Sequence, residues 1–261
     1  MSTSISENTS SINIRIYQFF MLLALLSIWH FLVQFKILPP FFFGEPLKII
    51  LQIWIWFSTG VIYEHLAITL LETLIAFFGG LALGLVTGLW LGLNNTASLL
   101  LDPYIKALNA MPRVILGPIF VVWFGLGIWS KVMLGLTLVF CVVFFNVFQG
   151  VREVNSNILS SARMLGANRR QLLQSVYFPS ATSWLFSSLH TAIGMAFVGA
   201  VIGEYLGSAR GIGYLILQAE AVFDVNTVFA GIIVLTLFAL ALDSIVTLVE
   251  KRLMVWRPAA S

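Results

Sequence analysis

Apolar runs long enough to cross a bilayer recur along this chain, and no other feature restricts its fold as strongly. They are Ile16–Phe35, Leu66–Leu93, about Leu99–Phe124, Val132–Phe148, Trp184–Leu206 and Thr227–Leu248, each bounded by polar, proline-rich or glycine-rich sequence. At a rise of about 1.5 Å per residue, about 20 apolar residues cover the ~30 Å hydrocarbon layer. That layer holds no water to satisfy backbone N–H and C=O groups, so runs of this length must be helices. Composition agrees: 59% of residues are hydrophobic and 10% charged, against about 45–50% and about 25% in soluble domains. The predicted fold is all-α, a polytopic membrane protein of six transmembrane helices. One transmembrane domain is expected over 15–261, behind a disordered, polar lead over 1–14 (MSTSISENTSSINI). That lead has neither the basic start nor the small-residue cleavage site of a signal peptide, so the first run is expected to stay as a helix.

Lysine and arginine placement sets the expected orientation. With the N-terminus inside, Arg15, Lys106, Arg152, Arg163, Arg169, Arg170, Lys251, Arg252 and Arg257 fall on the cytoplasmic side, and Lys36, Lys48, Lys131 and Arg210 outside. Nine against four, with Arg113 unassigned, favours both termini in the cytoplasm. Between the first two runs, Leu47–Phe57 (LKIILQIWIWF) is too short to span, and its Trp54 and Trp56 suit a helix lying in the interface. A net charge of +3 gives no basic footprint for nucleic acid, and the single cysteine, Cys141, permits neither a disulfide framework nor a thiolate metal cluster within one chain.

The connection before the fifth run, residues 150–183, is the most informative segment. Ser156 or Asn157 can cap a helix through Ser160–Leu165, Gly166 can end it, and Asn168 can start a second helix running to Tyr177, with Pro179 as its stop. Two short helices at a fixed glycine angle make a compact knob that transmits displacement better than a loop does.

Within it, Leu159–Ser183 (LSSARMLGANRRQLLQSVYFPSATS) resembles the EAA loop of ABC importer permeases. Ser160-Ser161-Ala162 stand where that family has Glu-Ala-Ala, Gly166 matches its glycine, and Val176–Pro179 its closing pattern; Ser160 replaces the family glutamate. Leu108–Gly127 (LNAMPRVILGPIFVVWFGLG) and Gly203–Leu217 (GEYLGSARGIGYLIL) are similar to segments of the nitrate, sulfonate, taurine and bicarbonate permeases. Three matches in order, within about Ile62–Lys251, identify the chain as resembling a permease subunit of type I ABC importer fold. The resemblance implies a homodimer, two cytoplasmic ATP-binding subunits and an extracytoplasmic solute-binding protein, in a bacterial cytoplasmic membrane. It implies that Ser160, Ala162, Arg163, Leu165, Gly166, Ala167 and Pro179 serve the ATPase-coupling loop. It also implies a transport subunit that is not an enzyme and binds no cofactor, with ATP and Mg²⁺ held by the partner ATPase. The absence of a G-x-x-x-x-G-K-[ST] loop agrees with that division of labour.

Ionisable groups inside apolar runs are costly and mark function or tight pairing. Asn109, Arg113 and Glu204 are the candidates for the translocation pathway. Arg113 either faces the pathway at mid-span, attracting an anion, or snorkels to the inner interface from a helix that begins at Pro112. Glu204 either lines the outer vestibule or bonds locally to Arg210, while Glu72, His190 and Asp243 are expected to fix packing through helix bonds. Gly117-Pro118 should kink the third run. Gly79, Gly80, Gly84, Gly88 and Gly92 share one helix face, either a sliding surface or static packing. A lone secondary transporter would show a midplane acidic relay and an internal repeat, and an intramembrane enzyme a paired nucleophile and base; neither pattern is present. The solute could be nitrate, a sulfonate, taurine, bicarbonate or a small aromatic or heterocyclic compound.

Overall fold

The computed structural model describes residues 3–253, with the side chains of 3–13, 15, 19, 251 and 253 outside that description. Arg257 and the side chains of Arg15 and Lys251, all assigned to the inner side from sequence, therefore lie outside the described residues. The chain forms helices α1 (Thr3–Gln34), α2 (Pro40–Phe43), α3 (Pro46–Thr59), α4 (Val61–Leu93), α5 (Asn95–Ala110), α6 (Leu116–Phe124), α7 (Ile128–Arg152), α8 (Ser156–Met164), α9 (Arg169–Leu172), α10 (Phe178–Leu206), α11 (Ile212–Ala221) and α12 (Val225–Leu253). Helix α1 runs back through the polar lead to Thr3, where disorder was expected; adding a residue to a helix already nucleated by an apolar run costs far less than starting one.

Among the described residues five helical stretches are long and apolar enough to cross a membrane: Ile16–Gln34, Val61–Leu93, Ile128–Arg152, Arg169–Leu206 and Val225–Glu250. The third predicted span is broken. Its halves, Asn95–Ala110 and Arg113–Phe124, meet at 78°, and counting them as one crossing gives six. The break falls at Met111–Pro112, not at Gly117-Pro118. Proline disfavours a helical conformation in the residue before it, and Met111 is extended (φ −69°, ψ 127°). Pro118 lies in the first turn of α6, where a missing N–H leaves no bond unmade. Helix α3, 14 residues long and thus about 21 Å, is too short to span.

Contacts divide the chain into two compact units. The smaller comprises the residues through Val61 together with Ile216–Val234. In it, the Trp29 and Phe229 rings lie 5.8 Å apart, and the Glu45 N–H donates to Asn226 Oδ1 at 2.7 Å. The larger comprises Ile62–Leu215 and the residues from Leu235 on. Its core joins Val139, Val143 and Val147 of α7 to Ala181, Leu185, Ala192 and Ala196 of α10, with Ala76 and Phe77 of α4.

The glycine face of α4 packs on a valine face of α7. A Cβ on Gly80, Gly84, Gly88 or Gly92 would lie 2.6 to 3.0 Å from the side chain of Val139, Val143, Val147 or Val151 respectively, each pair being 59 residues apart in sequence. A constant offset means that α4 and α7 run parallel. The chain between them must therefore return to its starting side, which is the work of the bent α5–α6 passage. Because a side chain on these glycines would overlap a β-branched neighbour, Gly84→Val should cost about 1–3 kcal/mol and lower the melting midpoint of the detergent-purified protein. Gly194→Ala, whose added Cβ meets nothing within 4 Å, should melt like wild type. Equal midpoints for the two variants would rule out the ladder.

Candidate functional site

Three places in the larger unit carry polar chemistry, each where a helix breaks. The first is the α8–α9 knob. Asn155, rather than the expected Ser156 or Asn157, caps α8, its side chain accepting from the Asn157 N–H at 2.8 Å. Past Leu165, Gly166 adopts φ +82°; the Gly166 N–H bonds Arg163 O and the Ala167 N–H bonds Ala162 O, both at 3.0 Å. This double closure at a left-handed residue is the Schellman arrangement. Asn168 then opens α9 with a capping box: its Oδ1 accepts from the Gln171 N–H at 2.9 Å, and Gln171 Oε1 accepts from the Asn168 N–H at 2.8 Å.

Pro179 does not stop the second helix. A π turn over Leu173–Tyr177 joins α9 to α10, making one helical stretch from Arg169 to Leu206. The wide turn resets the hydrogen-bond register, so that Pro179 falls in the first turn of α10, where its missing N–H is harmless. Ser160, Arg163 and Pro179 are exposed and Ala162 and Ala167 half-buried. The knob's tip is apolar: Met164 is 82% exposed and Leu165 88%. Leu165 was a sequence candidate; Met164 was missed, although it stands beside the predicted turn glycine.

The second place is the α5–α6 break. Arg113 follows Pro112 in a short 3-10 turn over Arg113–Ile115 and makes long contacts to Asn109 Oδ1 (3.4 Å) and Leu108 O (3.5 Å). Its charge lies close to the thiol of Cys141, which is buried midway along α7. Its Nε is buried and has no hydrogen-bond partner. Arg113 is thus the first residue of the helical turn that begins after Pro112, as one of its two readings expected, and it lies near the middle of α7. Asn109 is exposed beside it.

The third is a buried polar cluster under the start of α11. Glu204 Oε2 accepts from the Gly213 N–H at 2.7 Å, Oε1 accepts from the Thr69 hydroxyl at 2.6 Å, and Thr69 Oγ1 accepts from the Ile212 N–H at 3.2 Å. His65 Nδ1 accepts from the Gly211 N–H at 3.0 Å. Side chains of α4 and α10 thus cap three successive N–H groups at the start of α11. Gly211, at φ +105°, is obligatory, since a Cβ there would overlap the Glu204 carboxyl. Glu72 and Lys131 complete the cluster, Lys131 Nζ bonding Leu126 O and, at 2.8 Å, Gly127 O.

This arrangement corrects two sequence expectations. Glu204 is fully buried and bonded within its own chain, so it presents no atom to a solute. The alternative bond to Arg210 is absent; Arg210 pairs with Glu64 at 2.9 Å, both ends well exposed. Lys131, counted among the cations on the outer side, is fully buried in the first turn of α7. Helix bonding was expected of His190 and Asp243, and His190 bridges Asp243 (2.7 Å) and Glu250 (2.9 Å) of α12.

Spanning helices, a stitched two-helix projection and a span broken at Pro112 define a polytopic helical membrane protein. The chain belongs to the family of binding-protein-dependent transport system inner membrane components, which it matches over residues 80–255. It is 30% identical, over 89% of its own length and 84% of the relative's, to a putative aliphatic sulfonates transport permease of Bacillus subtilis. It is 28% identical to the taurine transport permease of Escherichia coli, over 90% and 87%, and 32% identical to a formylaminopyrimidine transport permease of Halalkalibacterium halodurans, over 90% and 93%. Its fold is similar to that of the inward-facing MetNI methionine ABC transporter, with a TM-score of 0.62 at 17% identity over 74% of this chain and 94% of that one. That likeness establishes the type I permease architecture.

Removing the Glu204 carboxyl would strand the Gly213 N–H and the Thr69 hydroxyl in a buried site, at about 1–3 kcal/mol for each group. Glu204→Ala should therefore lower the melting midpoint of the purified protein by several degrees. Arg210→Ala, which removes an exposed ion pair worth about 0–1 kcal/mol, should leave it in place. A wild-type midpoint for Glu204→Ala would show that the cluster does not hold α11.

Proposed function

We propose that this chain forms, as one of two copies, the translocation pathway of an ATP-driven importer for a small organic anion of the sulfonate or taurine type. Two cytoplasmic ATP-binding subunits supply ATP and Mg²⁺ and carry out hydrolysis, an extracytoplasmic solute-binding protein delivers the solute, and both termini are cytoplasmic. The observation that carries the coupling role is the tip of the knob, where adjacent Met164 and Leu165 are almost wholly exposed on a turn fixed by the Gly166 closure and the Asn168 capping box. Apolar side chains held rigidly in water are stabilised by a partner that buries them, at about 25 cal/mol per Å² covered. Arg163, beside them, adds a charged rim.

Displacement at the knob has a stiff route inward. The helical stretch Arg169–Leu206 spans 38 residues, about 57 Å, and bears at its far end Glu204, which grips the start of α11. The anion reading rests on Arg113. A guanidinium at mid-depth with an unpartnered Nε favours a negatively charged visitor that can accept two hydrogen bonds, as a sulfonate does. The names of the sulfonate and taurine relatives agree with it.

Gly166→Val tests the coupling. Nothing lies within 4 Å of the added Cβ, so the damage is confined to backbone strain of about 1–2 kcal/mol, which reshapes the turn. ATP-driven uptake and co-purification with the ATP-binding subunit should both fall several-fold while membrane insertion is unchanged; full uptake by this variant would overturn the docking assignment. For the solute, Arg113→Gln should cut uptake at least tenfold in reconstituted complex at matched expression, with assembly intact. Near-normal transport would remove the argument for an anion.

A further inference from the structure

At the root of the knob lies a cavity of about 740 Å³, bounded by Leu93 at the end of α4, Arg163 at the end of α8, and Arg169, Arg170, Leu173 and Tyr177 along the next helical stretch. Its wall is apolar and three guanidinium groups ring it. Among the described residues no carboxylate and no hydrogen-bond acceptor engages Arg163, Arg169 or Arg170. Two other arginines of the same unit are matched: Arg152 bonds Asn95 and lies over the Phe148 ring, and Arg210 pairs with Glu64. Three unmatched cations on one cavity repel each other, and an anion placed among them relieves that repulsion.

The level of the cavity narrows the kind of anion. Helix α4 is apolar to its last residue, Leu93, and Trp90, one turn earlier, is 54% exposed. Indole rings concentrate at the boundary between hydrocarbon and headgroups, so Leu93 ends near that boundary and the arginines sit at headgroup depth. The cavity also has far more room than a bare phosphate fills, and an apolar side that phosphate does not use. We propose that it seats an anionic phospholipid, whose phosphate is held by Arg169 and Arg170 with Arg163 at the rim, and whose glycerol and first acyl carbons lie along Leu93, Leu173 and Tyr177. Guanidinium groups suit a phosphate because each can donate two parallel hydrogen bonds.

The test is native mass spectrometry of the full chain purified without its motor. Wild-type protein mixed with equal dioleoyl phosphatidylglycerol and dioleoyl phosphatidylcholine should retain the glycerol lipid at least fivefold more, and millimolar inorganic phosphate should not displace it. In R169Q/R170Q the preference should vanish, and R170Q alone, the milder change if the pair fails to fold, should lose about half of it. R169K/R170K, keeping charge without the forked donors, should fall between wild type and the glutamine pair. An unchanged preference in R169Q/R170Q overturns the site. Displacement by phosphate alone would assign the cavity to a free anion and overturn the lipid. Loss of co-purification with the ATP-binding subunit at undiminished lipid preference would give these arginines to the motor instead, an outcome distinct from a failure of the Gly166 test.

Discussion

Every peptide group placed in hydrocarbon must find its hydrogen-bond partner within the protein, and this constraint organises the larger unit. Unbroken helices satisfy it by themselves. Where a helix breaks, side chains have to take over, and two groups of polar residues in the larger unit lie at such breaks. The start of α11 is closed by His65, Thr69 and Glu204, which reach Gly211, Ile212 and Gly213 from two other helices. The α5–α6 break has no comparable closure, and an arginine with a spare Nε stands there instead. At one break side chains of the same chain close the backbone N–H groups, and at the other none does; that difference separates the structural site from the candidate transport site, although each holds one buried atom without a partner, Glu72 Oε2 and Arg113 Nε.

How much of this was legible in the sequence depended on the range of the interaction. Gly166 and Asn168 were readable as turn and cap because their partners lie within five residues. Apolar runs declared the spans because burial in lipid depends on composition and length alone. The third run misled because its average hydropathy stays high on both sides of Pro112 despite Asp102, Lys106 and Arg113, and hydropathy does not register a missing N–H. Pro179 misled in the opposite direction, since a π turn absorbed the defect that a proline creates in regular α-helix. Glu204 was misplaced because its partner is distant in sequence: Thr69 is 135 residues away, and no local pattern links them. The glycine face of α4 was visible, but which residues fill it was not, because register between helices is set by packing over all four glycine–valine pairs at once.

That packing also decides which parts can move. For α4 to slide along α7, each valine would have to ride over the backbone between two glycines, losing four close contacts together. Gly135 adds a third partner, since a Cβ there would lie 2.8 Å from the Ala76 Cβ of α4 and 3.1 Å from the Ala196 carbonyl of α10. Gly150 is covered in the same way by Trp184 of α10. Helices α4, α7 and α10 therefore pack closely on one another, and of the two readings of the glycine face this complementarity favours static packing. Helix α5 stands apart from this lock: of its 16 residues only Ser98 is buried, and it is joined to α6 through a turn that proline keeps out of the helix. If the knob is the docking element proposed above, a displacement entering there reaches α10 first, and α10 packs on α4 and α7. On that proposal the α5–α6 break, outside this packing, is the compliant part, and Arg113 with its spare Nε stands there.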